Sequence, residues 1–191
     1  MSIAAASSMT ACDLLLLPDD RRGELVDGQV VERHISHAAV WIAMRIAYVL
    51  MQYLETHPIG DVYSEGASYR CFPDDPEKVR RADVSFLRTG RMTQAEFERG
   101  YCTVAPDLAV EVISPNDLAY DVARKLEDYF AAGVPLIWLV NPATRTITVY
   151  RQSGTAVAHL RAEDQLTGED VLPGFTCRVG DVFPPPRVSG V

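Results

Sequence analysis

The 191-residue chain predicts an α/β fold: a mixed β-sheet flanked by helices, with an N-terminal β-hairpin. Three observations carry that prediction. Asp27-Gly28 sits between two short apolar pairs, a strong short-range hairpin signal. Apolar residues recur at helical spacing over 38–54 and again over 118–130. Elsewhere, short apolar runs alternate with Pro, Gly and Asp clusters, which is the pattern of strands and turns.

In chain order, 14–22 reads as a short helix or turn and 24–32 as the hairpin. Ser36 can cap the helix that follows, in which Val40, Ala43, Ile46, Ala47, Leu50 and Leu54 recur at three- and four-residue steps. Trp41, Ile42 and Tyr48 widen the apolar surface beyond one stripe, so a second cover besides the sheet is expected, such as another subunit. Val62-Tyr63, 68–72, 84–87 and 108–113 read as strands, 73–81 as a charged loop and 93–100 as one or two helical turns. The second helix takes Asn116 or Asp117 as its cap and carries Leu118, Val122, Leu126, Tyr129 and Phe130. Gly133 closes it. A buried strand over 135–140, an alternating one over 146–151 and short strands near Val157 and Phe175 follow.

With 48% hydrophobic and 23% charged residues, the chain has enough apolar side chain to offset its ordering entropy, which argues against disorder. No repeat or linker divides it. The expected organisation is a flexible leader over 1–13, a single domain over 14–183 and a Pro-rich tail over 184–191. The net charge of -8 repels polyanions, so a nucleic-acid ligand needs a local basic patch. Cys12, Cys71, Cys102 and Cys177 form no C-x-x-C pair and read as free thiols of a cytoplasmic protein. No basic region precedes Leu14, so no secretory signal is expected. The apolar 38–54 stretch, broken by Arg45 and Gln52, is too short to cross a bilayer. His34 and His37 are spaced for a metal but lack a Cys or His cluster, and structural or surface roles are assigned to them.

The chemistry concentrates in three polar residues on apolar elements. Glu111 lies within Asp107-Leu108-Ala109-Val110-Glu111-Val112-Ile113, and a carboxylate in an apolar strand is costly unless paired, protonated or metal-bound. Strand alternation sets Asp107, Ala109, Glu111 and Ile113 on one face. Asp83 opens the apolar run 84–87. Two strand carboxylates side by side repel each other and call for a divalent cation, Mg or Mn by the preference of hard oxygen donors. Lys125 falls in the stripe of Leu118, Val122 and Tyr129. The bland alternatives are a structural ion pair for Glu111, a turn residue for Asp83 and a snorkelling stem for Lys125.

Asp83, Glu111 on a later strand and Lys125 on the following helix resemble the PD-(D/E)XK nuclease superfamily, with its lysine moved from strand to helix. Glu24-Leu25-Val26-Asp27-Gly28, His37, Asp83-Val84, Pro106 through Pro115, Asp121, Lys125, Tyr129, Gly133-Val134, Trp138-Leu139-Val140 and Pro142 together resemble the Uma-two family of restriction-endonuclease-like proteins, over nearly the whole chain. That resemblance implies a restriction-endonuclease-like fold and Asp83 and Glu111 as metal ligands. It also implies the carbonyl of Val112 as a further ligand, and Lys125 as the group that orients water or stabilises the phosphorane. Glu24 matches a recurrent family acid that completes the shell, and His37 is a weaker match. Ala82 replaces a common Pro, and Ile113 stands where the superfamily's strand lysine would be, so catalysis depends on Lys125 reaching back.

The function expected is a Mg- or Mn-dependent endonuclease acting on DNA as a homodimer, with no membrane association. The basic residues of 78–81 and 88–91 are the expected phosphate contacts. The rivals are a catalytically quiet dimeric scaffold that keeps the fold, and a metal hydrolase acting on smaller phosphoesters.

Overall fold

The computed structural model describes residues 8–18, 21–32, 35–98, 100–152 and 156–185. The first helix, α1 (Ala11–Leu16), is capped by Thr10, whose hydroxyl accepts from the Asp13 amide while the Asp13 carboxylate accepts from the Thr10 amide. Residues 11–13 are therefore helical rather than part of a leader, because Ala11 and Leu14 are buried against Leu25, Val79 and Tyr101. The earlier part of the leader, 1–7, and the end of the Pro-rich tail, 186–191, lie outside the described residues.

β1 (Glu24–Val26) and β2 (Gln29–Val31) form the expected hairpin. Asp27 and Gly28 have φ of 52° and 71°, the left-handed pair that a two-residue turn matching strand twist requires. A helix of 20 residues, α2 (His37–Thr56), follows, and the Ser36 hydroxyl accepts from the Ala39 amide at its start.

The six-stranded sheet runs in the order β3 (Gly60–Ser64), β4 (Val84–Arg88), β5 (Leu108–Val112), β6 (Leu136–Asn141), β7 (Thr146–Arg151), β8 (Ala156–Leu160). All its pairings are antiparallel except β5 with β6. A parallel pair needs a long crossover, supplied by α4 (Ala119–Ala131), while α3 (Gln94–Glu98) lies between β4 and β5. A second hairpin, β9 (Gln165–Gly168) with β10 (Leu172–Arg178), and a 3-10 turn at Val179–Val182 end the described chain.

Strand alternation divides the core into two layers. Leu108, Val110 and Val112 of β5 join Ile42, Ile46 and Leu50 of α2 on one face. Ala109 joins Tyr129, Ile137 and Tyr69 on the other. Each fully buried Leu or Ile contributes roughly 1.5–3 kcal/mol relative to exposure, which is why α2 is held by one face despite its apolar length.

Two expectations are corrected. Residues 68–72 form no strand: Tyr69 makes isolated bridges to Arg80 and Cys102, and pairing stops because the chain turns at Pro73-Asp74. The N-cap of α4 is Leu118, without a side-chain cap bond. Asp117 instead turns back and accepts from the Ser114 amide at 2.8 Å, closing the link between β5 and α4.

Candidate functional site

The site forms where three separate segments meet the carboxyl end of β5. The hairpin brings Glu24, docked through paired backbone bonds between Leu25 and Val79, both 2.9 Å. Gly23 is needed there, since a Cβ on it would lie 2.4 Å from the Val31 carbonyl. The β4–β5 register pairs Ser85 with Ala109 and Val84 with Val110; one step further, Asp83 stands opposite Glu111. The α4 crossover carries Lys125 and Tyr129 on its buried face.

Lys125 is 5% exposed, so its ammonium does not snorkel to solvent. It donates to Glu24 Oε1 at 2.7 Å, Glu111 Oε2 at 2.9 Å and the Arg81 carbonyl at 2.6 Å, one acceptor for each of its three protons. Glu111 Oε1 accepts from the Tyr129 hydroxyl at 2.8 Å. Asp83 Oδ2 accepts from the Val112 amide at 2.6 Å, which holds its carboxylate against the backbone just after Glu111. Lys125 thus reaches back to Glu111, as required if a helix lysine replaces one at Ile113.

Glu24 has a second cation: Arg80 donates to its Oε2 at 2.9 Å, and the Arg81 amide to its Oε1 at 2.9 Å. Burial works to raise the Glu24 carboxyl, but the Lys125 ammonium and the Arg80 guanidinium outweigh it and bring it to about 2. Burial and then the Glu111 carboxylate push the Tyr129 hydroxyl well above its ordinary range. Tyr129 therefore stays protonated and keeps donating to Glu111.

The network extends beyond what sequence reasoning found. Asp128, one turn after Lys125 on α4, accepts from Lys78 at 2.6 Å and from Arg80 Nε at 2.8 Å. Its three-residue offset from Lys125 was the available signal. Lys78 and Arg80 are buried and held by these carboxylates, Arg91 pairs with Asp107 at 2.8 Å, and Arg88 bonds the Asp170 carbonyl. Lys78 and Arg80 thus brace the fold instead of offering phosphate contacts, whereas Arg88 and Arg91 stay exposed at the surface. A buried cation without its carboxylate would cost several kcal/mol, and this explains why Lys78 and Arg80 turn inward.

Two openings adjoin the network. Glu111, Val112 and Lys125 line a cavity of about 200 Å³, whereas Asp83 lines a cleft of about 510 Å³ with Arg81 and Glu65. Glu24, Val31 and Glu32 border both. Asp83 and Glu111 are adjacent in register but open onto neighbouring spaces. His37 is exposed at the first position of α2 and lines neither opening, and His34 lies outside the described residues. Among the described residues, no group of three His, Cys, Asp or Glu is arranged as a ready metal cage, and no helix is long and apolar enough to cross a membrane.

Sequence comparison now adds to this geometry: the profile of the Uma2 family, described as "putative restriction endonuclease", matches residues 11–180. The chain belongs to the Uma2 family. A solved structure, the crystal structure of a "putative nuclease belonging to DUF820" from Anabaena variabilis, superposes with a TM-score of 0.75 at 18% identity, covering 92% of this chain and 97% of that one. At that identity the likeness establishes a shared fold with the Uma2 chain, a mixed sheet flanked by helices, and leaves chemistry to the site. No curated protein matched the sequence.

Proposed function

We propose that this Uma2 protein is a metal-dependent endonuclease that hydrolyses phosphodiester bonds, with DNA as its substrate. The observation that carries the reading is the buried lysine held by two carboxylates beside a third. Glu24, Glu111 and Asp128 meet Lys78, Arg80 and Lys125 in buried or nearly buried ion pairs, and the buried Asp83 lies beside them. Asp83 and Glu111 are neighbours across the β4–β5 register, and a divalent cation between two such carboxylates would offset their mutual repulsion. The donor set is all oxygen, which suits Mg or Mn.

Asp83, Glu111 and the Val112 carbonyl are the residues proposed to hold the ion, with Glu24 completing the shell. When bound, the ion would activate water and offset charge on the phosphoryl oxygens. Lys125 is proposed to place its ammonium against the attacking water or the developing phosphorane charge. Tyr129 fixes the Glu111 carboxylate through Oε1 and leaves Oε2 facing Lys125. Arg80 fixes Glu24 in the same way.

Two copies are proposed to associate through α2, whose outer side exposes Val40, Met44, Tyr48 and Met51. A dimer would present two sites to one duplex.

The lysine's complete set of acceptors also favours a second reading, a quiet scaffold in which Glu24–Lys125–Glu111 is a structural ion pair. Incubation with plasmid DNA, RNA and a small phosphodiester in Mg, Mn or EDTA tests both. The endonuclease reading expects metal-dependent cleavage of DNA and melting-temperature gains with Mn. Cleavage of the small ester alone, or no response to metal in either measurement, would overturn it.

A further inference from the structure

We propose that the cavity beside Glu111 and Lys125 is a nucleobase subsite, receiving an unpaired, amino-bearing base of the nucleotide next to the bond being cut. The proposal rests on the nuclease reading and adds to it where the substrate goes once its phosphate lies over the carboxylates.

Three features point to such a ligand. The first is shape and wall. The cavity holds about 200 Å³, somewhat more than an engineered apolar cavity of roughly 150 Å³ that takes up benzene. It is also smaller than the ~300 Å³ or more typical of drug-sized sites. Its sides are aliphatic, built from Val26, Ile113, Leu118, Val122 and Leu139. These suit the faces of a flat ring and offer a sugar-phosphate little.

The second is the sign of the rim. Glu32, Asp117 and Asp121 border the cavity, and both of its guanidiniums are engaged, Arg124 with Asp27 at 2.7 Å and Arg80 with Glu24 at 2.9 Å. A second phosphate is repelled there, whereas the amino groups of adenine or cytosine donate to carboxylates. The third is position. Glu24 divides this cavity from the cleft that holds Asp83, so a phosphodiester spanning the divide has one side over the acids and its neighbouring base over the aliphatic wall. Reaching it takes a base out of the stack, which costs least where the base is already unpaired.

The test titrates the full metal-free protein with adenosine, cytidine, thymidine and inorganic phosphate, beside Val122→Phe, which fills the cavity from a half-buried position, and Asp121→Asn on the exposed rim. Adenosine and cytidine should bind about tenfold tighter than thymidine, and phosphate should not compete. Val122→Phe should lose nucleoside binding with an unchanged circular dichroism spectrum, and Asp121→Asn should lose the preference over thymidine. In parallel, Mn-dependent cutting of a duplex with one unpaired adenosine should exceed that of the fully paired duplex for the wild type and not for Val122→Phe. If DNA is cut in Mn but the unpaired base gives no advantage and nucleosides do not bind, the subsite is overturned while the nuclease reading stands. If nucleosides bind as described and nothing is cut, the subsite stands and the nuclease reading falls.

Discussion

The ammonium of Lys125 lies 2.9 Å from Glu111 Oε2, joining a helix lysine to a strand glutamate across the layer that separates α4 from the sheet. The same ammonium reaches Glu24 at 2.7 Å, so one charge neutralises part of two. Replacing it by an apolar side chain of similar length, Lys125→Met, leaves both carboxylates facing each other without it. Breaking a buried pair in this way costs about 3–5 kcal/mol. Urea unfolding at pH 7 should show a loss of that order, and a loss below about 1 kcal/mol would mean that the pair is relaxed by solvent.

Glu111→Gln removes less. Glutamine keeps an oxygen for the Tyr129 hydroxyl, and Lys125 keeps Glu24 and the Arg81 carbonyl. The metal-free variant should lose about 1.5–3 kcal/mol, the range for a hydrogen bond to a charged group. Its melting temperature should no longer rise with Mn, whereas that of the wild type should. A Mn response equal to wild type would show that Glu111 is not a ligand.

Acid should weaken the site through Glu24. Its folded carboxyl, at about 2, lies below the ordinary value of 4.5, so the folded state binds this proton less well than the unfolded state. The stability it contributes is full above pH 4.5 and is lost as pH falls toward 2, amounting to about 3 kcal/mol by linkage. Denaturation followed between pH 6 and 2 should therefore show Glu24→Gln less acid-sensitive than the wild type across that window. Parallel pH curves would contradict the assignment.

The outer stripe of α2 makes association measurable. Met44 is 67% exposed at its centre and faces outward between Val40 and Tyr48. Light scattering at micromolar concentration should give the mass of two chains, and Met44→Glu should give that of one. A wild-type monomer mass would remove the dimer from the account.

Much of this architecture was legible because local signals agreed with the global fold. Asp27-Gly28 admits a left-handed turn, Ser36 caps α2, and Gly133, with φ of 82°, ends α4. Glu111 and Lys125 stood out because each interrupts an apolar face, and they do meet. What could not be read was the inward turn of Lys78 and Arg80. Their carboxylate partners, Glu24 and Asp128, are about fifty residues away in either direction, and the pairing depends on how the hairpin docks on Val79. The failed strand at 68–72 has the same cause: its composition suits a strand, but the chain gives it single-residue bridges to Arg80 and Cys102. Asp117 had the composition of a cap and used its carboxylate on Ser114 instead, a competition between local bonds that sequence leaves undecided.

The most direct test of the account is the initial rate of supercoiled-plasmid nicking in saturating Mn, wild type against Lys125→Met, at a temperature where the variant's circular dichroism is native. The account predicts metal-dependent nicking by the wild type, none in EDTA, and a rate at least a hundredfold lower for the variant, the usual scale for loss of a group that stabilises transition-state charge. Nicking by the variant at the wild-type rate, or none by the wild type with any metal, would contradict it.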